Sequence, residues 1–430
     1  MDIYKAYPGQ DIYILPFSES KNKNIVYSPL RRMAFSADDH SLEKLSQYLS
    51  EGIDITDDPV LKNNIEHILN KEFSKPKDVP LVSEDSIVIL LSQRCNLACE
   101  YCFAKNAHAS DRITRENLFG AIDYVINHGK SDQKGFVFLG GGEPLMEWDL
   151  FTDAVEYIEK NVGPDTKMRI KVTTNATLLN EERVDYLKEH NVLVTVSSDI
   201  LPEVQNAQRP MANGSNKDSF PYVNRSIELI LEKDVDMYIR STITEMNVRR
   251  MPEMVQYVHD HYPKLKMIQF EHMSAPGLGD SDYFEDFITC FFQACTLAEQ
   301  YGLELKNTTY YSIRNRQPYF CKGEFCVTPT GSLTACHRVS SENDSLYPYF
   351  HFGTIQNDPP VDPVRLTNVK ETIRDVPQAC DDCFAKWHCA GGCRAEWYSY
   401  SEEDQKALCA FNRSLVRKSL EKQLIKQGMM

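Results

Sequence analysis

The sequence has no surplus of positive charge and no long apolar run. Its 430 residues include 47 lysines and arginines against 62 aspartates and glutamates, a formal net charge of −15. This balance offers no basic face to a phosphate backbone and argues against nucleic acid as a partner. No uninterrupted apolar stretch approaches the length of a membrane span. The opening residues, MDIYKAYPGQDIY, lack the basic start and apolar core of a signal peptide.

Cysteine, in contrast, is abundant, with 13 in the chain. Without a secretory signal, so many thiols are expected to bind metal and not to form disulfides. We therefore expect a cytoplasmic protein in a reducing compartment. A hydrophobic content of 42% and a charged content of 25% are typical of a folded soluble protein.

The pattern of apolar residues divides the chain into three predicted parts. Residues 1–80 contain short strand patterns and two helical stretches, and end in the linker-like KPKDVP. Residues 84–305 alternate helical patterns with six candidate strands: SIVILLS, GFVFLG, MRIKVTT, VLVTVSS, DMYIRSTI and MIQFE. This alternation predicts an α/β fold with a parallel sheet and right-handed crossovers. Residues 306–430 are loop-rich, carry eight cysteines and close with a helical tail.

Three cysteines directly follow the first candidate strand. Cys95, Cys99 and Cys102 stand in the segment RCNLACEYCFA with the spacing C-x3-C-x2-C. Three thiolates can hold three irons of a [4Fe–4S] cube and leave the fourth iron open for a ligand. A zinc loop or a set of buried thiols would fit the same residues, so the motif alone leaves these interpretations open.

With Tyr101 between its last two cysteines, this loop resembles the signature of the radical S-adenosylmethionine (radical SAM) enzymes. The resemblance implies a partial (β/α)6 TIM-type barrel over residues 84–305. It also implies that the open iron binds SAM and that one electron yields a 5′-deoxyadenosyl radical, which abstracts hydrogen. Sites in parallel barrels lie at the carboxyl ends of the strands, where this loop is expected.

Turns after the next two strands resemble SAM-binding elements of the same family. GGGEPLM is similar to the GGEP element, which assigns Gly141, Gly142 and Glu143 to the SAM amino group. A plain glycine-rich turn is the alternative. TTNATLL resembles the family's TNG-type turn and implies that Asn175 lies near the cofactor, with Ala176 in place of the glycine.

The fourth strand ends in VSSD, which is similar to the family's VSLD and implies polar contacts to SAM from Ser197 and Asp199. The following QNAQRPMANGSNKDSF resembles a segment in which a basic residue pairs with the SAM carboxylate. Either Arg209 or Lys217 would take this role, and a solvated charge is the alternative. Two residues stand where the family often has histidine and glycine: Gln205 and Ile200.

The C-terminal cysteines have a spacing that chance rarely produces. CKGEFCVTPTGSLTAC is followed by CDDCFAKWHCAGGC, with the spacing C-x2-C-x5-C-x3-C, and by a cysteine in the helical tail. This part resembles the SPASM domain of radical SAM maturases. The resemblance implies two auxiliary [4Fe–4S] clusters, the first on Cys321, Cys326, Cys336 and Cys393, the second on Cys380, Cys383, Cys389 and Cys409. Two structural zinc sites are the alternative, since zinc also favours four thiolates. Two cysteines are left for the core: Cys290 and Cys295.

SPASM proteins mostly act on peptides or proteins, and they need an electron donor such as flavodoxin or ferredoxin. Residues 1–80 resemble in architecture a leader-peptide-recognition domain, with a plain barrel cap as the alternative. We therefore expect a maturase that cross-links a ribosomally made peptide through a thioether, C–C or C–O bond. A zinc-binding scaffold without activity is the non-enzymatic hypothesis.

Anaerobic sulfatase-maturing enzymes, which make formylglycine, are the other enzymatic hypothesis. They have an aspartate, a proton acceptor, directly after the third cysteine of the first auxiliary cluster. This chain has His337 at that position. His337 is a candidate proton acceptor, and a histidine that only packs beside a cluster loop is the alternative.

Overall fold

The chain folds into a large mixed sheet covered by helices, preceded by a smaller antiparallel sheet. The computed structural model describes residues 4–18, 22–104, 111–274, 277, 282–312 and 315–428. None of the described helices is long and apolar enough to cross a membrane.

The small sheet is a four-stranded meander, and two helices follow it. Its elements are β1 (Lys5–Tyr7), β2 (Ile12–Pro16), β3 (Lys23–Ser28), β4 (Met33–Asp38), α1 (Asp39–Glu51) and α2 (Pro59–Asn70). Aspartates begin both helices, since Asp38 accepts a hydrogen bond from the Ser41 N–H and Asp58 accepts one from the Leu61 N–H. The sequence predicts all of these elements except β1, whose three residues are too few to show a period.

Both faces of the small sheet are buried, because consecutive residues of β2 and β3 are apolar and point to opposite faces of the sheet. One face packs against α1 and α2 through Ile12, Ile14 and Val26. The other face shares a cluster with the C-terminal part of the chain: Tyr13, Leu15, Ile25, Tyr27, Phe384, Ala385, Val416, Leu420 and Leu424. The N-terminal unit is therefore docked on the segment that carries the C-terminal cysteines.

The large sheet begins with seven parallel strands in the spatial order β11-β10-β9-β8-β7-β6-β5. Strands and helices alternate along the chain: β5 (Ser86–Ile89), α3 (Arg115–His128), β6 (Gln133–Phe138), α4 (Trp148–Asn161), β7 (Lys167–Thr174), α5 (Glu181–Glu189), β8 (Leu193–Ser197), α6 (Pro202–Gln208), α7 (Phe220–Glu232), β9 (Met237–Ile243), α8 (Met251–His261), β10 (Met267–His272), α9 (Tyr283–Gln300) and β11 (Glu304–Lys306). The predicted α/β class is confirmed, and all six candidate strands are present.

The C-terminal part extends the same sheet, which the sequence does not predict. Its elements are α10 (Thr308–Ser312), β12 (Cys326–Val327), β13 (Ser332–Thr334), α11 (Tyr347–Phe350), β14 (His351–Thr354), α12 (Pro363–Arg374), α13 (Lys386–Cys389), α14 (Arg394–Ser399) and α15 (Glu402–Lys426). β12 pairs parallel to β5, and β13 and β14 follow antiparallel. The predicted helical tail is α15.

Helices α3 to α9 cover one face of the large sheet, where every second strand residue joins them in the main core. Residues of the alternate register, such as Val88, Leu90 and Val137, form a separate cluster with Cys326 on the other face. Because β5 to β8 run parallel, their carboxyl ends meet at one edge of the sheet. The predicted cysteine loop and the three predicted turns all follow these ends.

Candidate functional site

The loop with Cys95, Cys99 and Cys102 is joined by its backbone to the turn after β6. The Glu143 N–H donates to the Arg94 carbonyl at 2.8 Å, directly before the first cysteine. All three thiols are partly buried. Burial raises the pKa of Cys95 to about 12, and the charges of the nearby Cys99 and Cys102 act in the same direction. The structure thus brings the three cysteines together at the carboxyl edge of the sheet.

Residues 208–212 hold the other side of this loop. The Ala98 N–H donates to the Pro210 carbonyl at 2.8 Å, and the Glu100 N–H donates to the Gln208 carbonyl at 2.9 Å. Arg209 lies between these two contacts and is therefore fixed beside the loop.

Arg209 forms a buried ion pair close to Cys99. Its Nε is 3.1 Å from Oδ2 of Asp199, with side-chain exposures of 8% and 0%. The guanidinium lies over the Tyr101 ring, 5.1 Å from its centroid, and the Tyr101 hydroxyl donates to Asp199 at 2.7 Å. Burial raises the pKa of Tyr101 well above its ordinary value, so the phenol stays protonated as a donor. Burial also raises the pKa of Cys99, and the positive charge of Arg209 opposes this shift.

The two basic residues that are candidates for pairing with the SAM carboxylate have different surroundings in the structure. Lys217 is exposed, and its Nζ donates to the Ala212 carbonyl at 2.9 Å. Of the two, only Arg209 is buried beside the cysteine loop. Ser197 is the last residue of β8 and is half-buried.

The glycines after β6 allow this turn to approach the cysteine loop closely. Gly140 and Gly141 have φ values of 67° and 71°, in the left-handed region. A Cβ atom added at Gly142 would lie 2.0 Å from the Arg94 carbonyl oxygen. No side chain fits at Gly142 unless the cysteine loop moves.

The Glu143 carboxylate ties the turn after β6 to the end of β7. It accepts hydrogen bonds from the Leu145 N–H at 3.1 Å, the Thr174 hydroxyl at 2.6 Å and the Asn175 N–H at 2.7 Å. Its side chain is buried, and burial raises its pKa although the three donors lower it. Glu143 thus holds two turns together, a structural role in addition to the contact with the SAM amino group that the resemblance implies.

Asn96 connects the cysteine loop to the turn after β7, a role that the sequence does not reveal. The Asn175 side-chain amide donates to Asn96 Oδ1 at 2.9 Å. The Asn96 amide in turn donates to the Thr177 hydroxyl at 2.7 Å. The only signal in the sequence is its position directly after Cys95.

Two residues that stand where the resemblance predicts glycine have a backbone conformation that glycine adopts readily. Ala176 and Ile200, which replace glycines, have φ values of 62° and 69°. Each such residue costs about 1–2 kcal/mol relative to glycine. Gln205 accepts a hydrogen bond from the Asp199 N–H at 2.8 Å and donates to the Ser219 hydroxyl at 2.9 Å. Gln205 therefore fixes the turn after β8.

The first predicted set of C-terminal cysteines gathers beside β12 and β13. Cys326 is fully buried in β12, and Cys336 lies just beyond the end of β13. Burial raises the pKa of Cys336 well above its ordinary value, and the nearby Cys393 and Cys321 act in the same direction. Burial and the charge of Glu324 raise the pKa of Cys326 well above its ordinary value, and the nearby Cys336 raises it further.

The second predicted set lines one cavity of about 380 Å³: Cys380, Cys383, Cys389 and Cys409. Within the described part of the chain, no three cysteine, histidine, aspartate or glutamate side chains converge closely enough to hold a single metal ion. In a closed zinc site all four sulfurs would lie about 2.3 Å from one ion. Four thiols that line one cavity can also bind the different irons of a polynuclear cluster.

His337 lies between the cysteine loop and the first C-terminal set. Its ring Nδ1 is 2.9 Å from both carboxylate oxygens of Glu324. The backbone N–H of His337 donates to the same carboxylate at 2.7 Å. Its ring packs edge-on against Phe103, with ring centroids 6.0 Å apart. Burial tends to raise the pKa of Glu324, but the neighbouring His337 outweighs it and lowers the pKa. Glu324 belongs to no motif, so the sequence does not single it out.

Residues 89–258 match the family model of the Radical SAM superfamily. A cysteine-type anaerobic sulfatase-maturating enzyme of Clostridium perfringens is 25% identical over 338 residues, which cover 70% of this chain and 86% of that enzyme. The chain spans only about half the length of two other curated relatives that it matches, 57% and 50%.

Two solved structures have the same fold. Native anSMEcpe with bound AdoMet and Cp18Cys peptide is 22% identical, with a TM-score of 0.67, and the match covers 81% of this chain and 99% of that one. Streptococcus suis SuiB bound to the precursor peptide SuiA is 15% identical, with a TM-score of 0.52, over 93% of this chain and 98% of that one. At these identities the likeness shows the fold alone.

Replacement of Gly142 by alanine should displace the cysteine loop, because the new Cβ would meet the Arg94 carbonyl. We expect a loss of about 1–3 kcal/mol in stability and weaker SAM binding, measured by thermal unfolding and by calorimetric titration of the reconstituted protein. Gly163→Ala is the matched control, since its added Cβ has no atom within 4 Å among the described residues other than its two chain neighbours. Unchanged SAM affinity in Gly142→Ala would show that this backbone contact does not shape the site.

Proposed function

We propose that this chain, which belongs to the radical SAM superfamily and has a SPASM-like C-terminal domain, is a maturase of ribosomally made peptides. Superfamily membership implies a [4Fe–4S] cluster and SAM. The observation that carries the proposal is the convergence of the cysteine loop, the turn at Glu143, Asn175 and the Asp199–Arg209 pair at one edge of the sheet.

In the proposed SAM site, Cys95, Cys99 and Cys102 hold the cluster. We assign the SAM carboxylate to Arg209 and not to Lys217, because Arg209 is the cation held beside Cys99. The remaining proposed contacts come from the carboxyl ends of the strands: Tyr101, Gly141, Gly142, Glu143, Asn175, Ser197 and Asp199. Asp199 and Tyr101 orient Arg209, since both contact it.

We further propose two auxiliary [4Fe–4S] clusters, on the two C-terminal cysteine sets described above. Support comes from the cavity lined by the second set and from the mutual proximity of the first. The corresponding domains are residues 1–80, 84–305 and 306–430. When bound, the clusters and SAM would supply the reducing electron, the 5′-deoxyadenosyl radical that takes one hydrogen atom, and an acceptor for a second electron. A flavodoxin or ferredoxin would deliver the reducing electron.

Our proposed substrate is a peptide with a leader sequence. The solved structures with bound peptides share this fold. The N-terminal sheet ends in β4, an edge strand of six residues to which an extended leader could add by main-chain hydrogen bonds. The product would be a thioether, C–C or C–O cross-link, for which the peptide gives up two hydrogens.

Within this proposal, His337 accepts the proton that leaves the substrate when the second electron is removed. Its position beside Phe103, the residue after Cys102, places it next to the cysteine loop. Glu324 orients the imidazole through Nδ1, which leaves Nε2 for the substrate.

Formylglycine formation is the second candidate, favoured by the match to 86% of the Clostridium perfringens sulfatase-maturating enzyme. The histidine at position 337 speaks against it, since sulfatase maturases are expected to have aspartate there. A peptide with a sulfatase motif, assayed for formylglycine by mass spectrometry, separates the two candidates.

Changing Cys95, Cys99 or Cys102 to alanine should abolish SAM cleavage and lower the iron content. We expect about twelve irons per wild-type chain after anaerobic reconstitution, and about eight after loss of the SAM cluster. Cys295→Ala, a buried core cysteine of α9, is the control that should retain both iron and 5′-deoxyadenosine formation. A Cys95→Ala protein that still cleaves SAM at the wild-type rate would refute the assignment.

His337→Gln should keep SAM cleavage but lose the peptide product, because only proton removal is impaired. General-base catalysis is worth about 10²–10⁴-fold, so product should fall by at least about a hundredfold. The assay co-expresses a candidate substrate peptide that the wild-type protein modifies, and follows the loss of two hydrogens by mass spectrometry. Full product formation by His337→Gln would leave His337 with a packing role only.

A further inference from the structure

A cavity of about 620 Å³ lies beside β11, at the edge of the large sheet. Its walls come from the end of β11, from the segment that leads to Cys321, and from Lys77 and Val79 of the linker between the N-terminal unit and the sheet. None of the site residues assigned above lines this cavity.

The cavity is lined by four basic side chains and, among the described residues, by no carboxylate: Lys77, Lys306, Arg316 and Lys322. Three aromatic residues complete its walls: Tyr311, Tyr319 and Phe320. On a chain with a net charge of −15, such a local concentration of positive charge is unexpected. A concave site with one sign of charge attracts ligands of the opposite sign.

Two of these charges are available to a ligand. Lys77 and Lys322 are exposed, and neither forms an ion pair with any residue that the structure describes. Lys306 pairs with Glu304 at 3.4 Å, near the surface.

Arg316 adds a further positive charge and forms no ion pair with a carboxylate in the described part of the chain, although Asp11 is near enough to act on it electrostatically. Its guanidinium donates to the carbonyls of Pro29 and Leu30, at 3.2 and 2.8 Å, and so joins the N-terminal unit to the cavity. Burial lowers the pKa of Arg316, and the neighbouring Arg32 lowers it further, as expected where positive charges are crowded.

A row of paired strand residues leads from the proposed SAM site to the cavity. Ser197 of β8 pairs with Arg240 of β9, Arg240 with Gln269 of β10, and Gln269 with Lys306 of β11. Residues paired in this way lie on the same face of the sheet, here the face away from the helices. With about 4.8 Å between strands, the row spans about 15 Å, the length of about five extended residues.

We propose that this cavity binds an acidic side chain of the substrate peptide, about five residues away in sequence from the residue that is modified. The inference rests on the proposed peptide-maturing function and names its substrate class: a peptide with aspartate or glutamate at a fixed distance from the target. The unpaired lysines recognise the carboxylate, and the aromatic residues pack against its neighbours.

The test uses two synthetic peptides, acetylated and amidated, that are identical except for glutamate or glutamine at two positions. Their affinities for the reconstituted full-length chain with SAM are compared by calorimetry. We expect the glutamate peptide to bind about fivefold or more tightly than the glutamine peptide, and the preference to weaken as salt is raised.

The preference should disappear in the double variant Lys77→Gln/Lys322→Gln. It should persist in Lys130→Gln/Lys167→Gln, which removes two exposed lysines near the amino ends of β6 and β7. Carbodiimide coupling of the bound glutamate peptide provides a second measurement, with amide links expected at Lys77 or Lys322 on peptide mapping.

Equal affinity of the wild type for both peptides, or coupling only at lysines elsewhere, would overturn the inference. The same preparations are assayed for 5′-deoxyadenosine without peptide. If the protein cleaves SAM but binds both peptides equally, the acidic-peptide site is refuted and the proposed function stands. If it prefers the glutamate peptide but does not cleave SAM, the proposed function is refuted and the acidic-peptide site stands.

Discussion

The hydrogen bond from the Glu143 N–H to the Arg94 carbonyl is the contact on which the rest of the site depends. It holds the cysteine loop against the turn after the neighbouring strand, and only glycine at position 142 permits the approach. The Glu143 carboxylate then carries the constraint to the end of β7 through the Asn175 N–H. Parallel pairing of β5, β6 and β7 puts these three strand ends at one edge, so a short backbone contact positions three otherwise distant segments.

The N-terminal unit and the C-terminal cysteines are also physically linked. The Tyr27 hydroxyl of β3 lies 2.6 Å from Nε2 of His388, the residue before Cys389. Burial lowers the pKa of His388 to about 4, so its imidazole is neutral and suits a hydrogen bond with a phenol. Arg316 joins the same unit to the basic cavity. A peptide bound to the N-terminal unit would therefore lie near the second cysteine set. It would also lie near the basic cavity, from which the row of paired strand residues leads to the proposed SAM site.

Much of this architecture follows from local patterns in the sequence. The six predicted parallel strands and the helices between them show apolar periodicities that belong to single segments. The cysteine spacings resemble those of the radical SAM and SPASM elements, and that resemblance implies the three groups of thiols. What the sequence does not reveal depends on contacts between distant segments. β1 and β11 have three residues each and owe their existence to their neighbours. β12 joins the large sheet through pairing of Cys326 with Val88. Asn96 and Glu324 carry no motif of their own, and their roles come from the partners that the fold brings to them. The positive φ of Ile200, unusual for a β-branched residue, shows that tertiary contacts can impose a backbone that local propensity disfavours.

The central claim is that the loop of Cys95, Cys99 and Cys102 carries a cluster with one iron that SAM can bind. Electron paramagnetic resonance of the anaerobically reduced protein, recorded with and without SAM, tests it most directly. SAM should change the spectrum of the wild type and leave the spectrum of a Cys95→Ala/Cys99→Ala/Cys102→Ala variant unchanged. A wild-type spectrum that does not change when SAM is added would contradict SAM binding at this cluster. The same SAM-dependent change in the triple variant would contradict it as well.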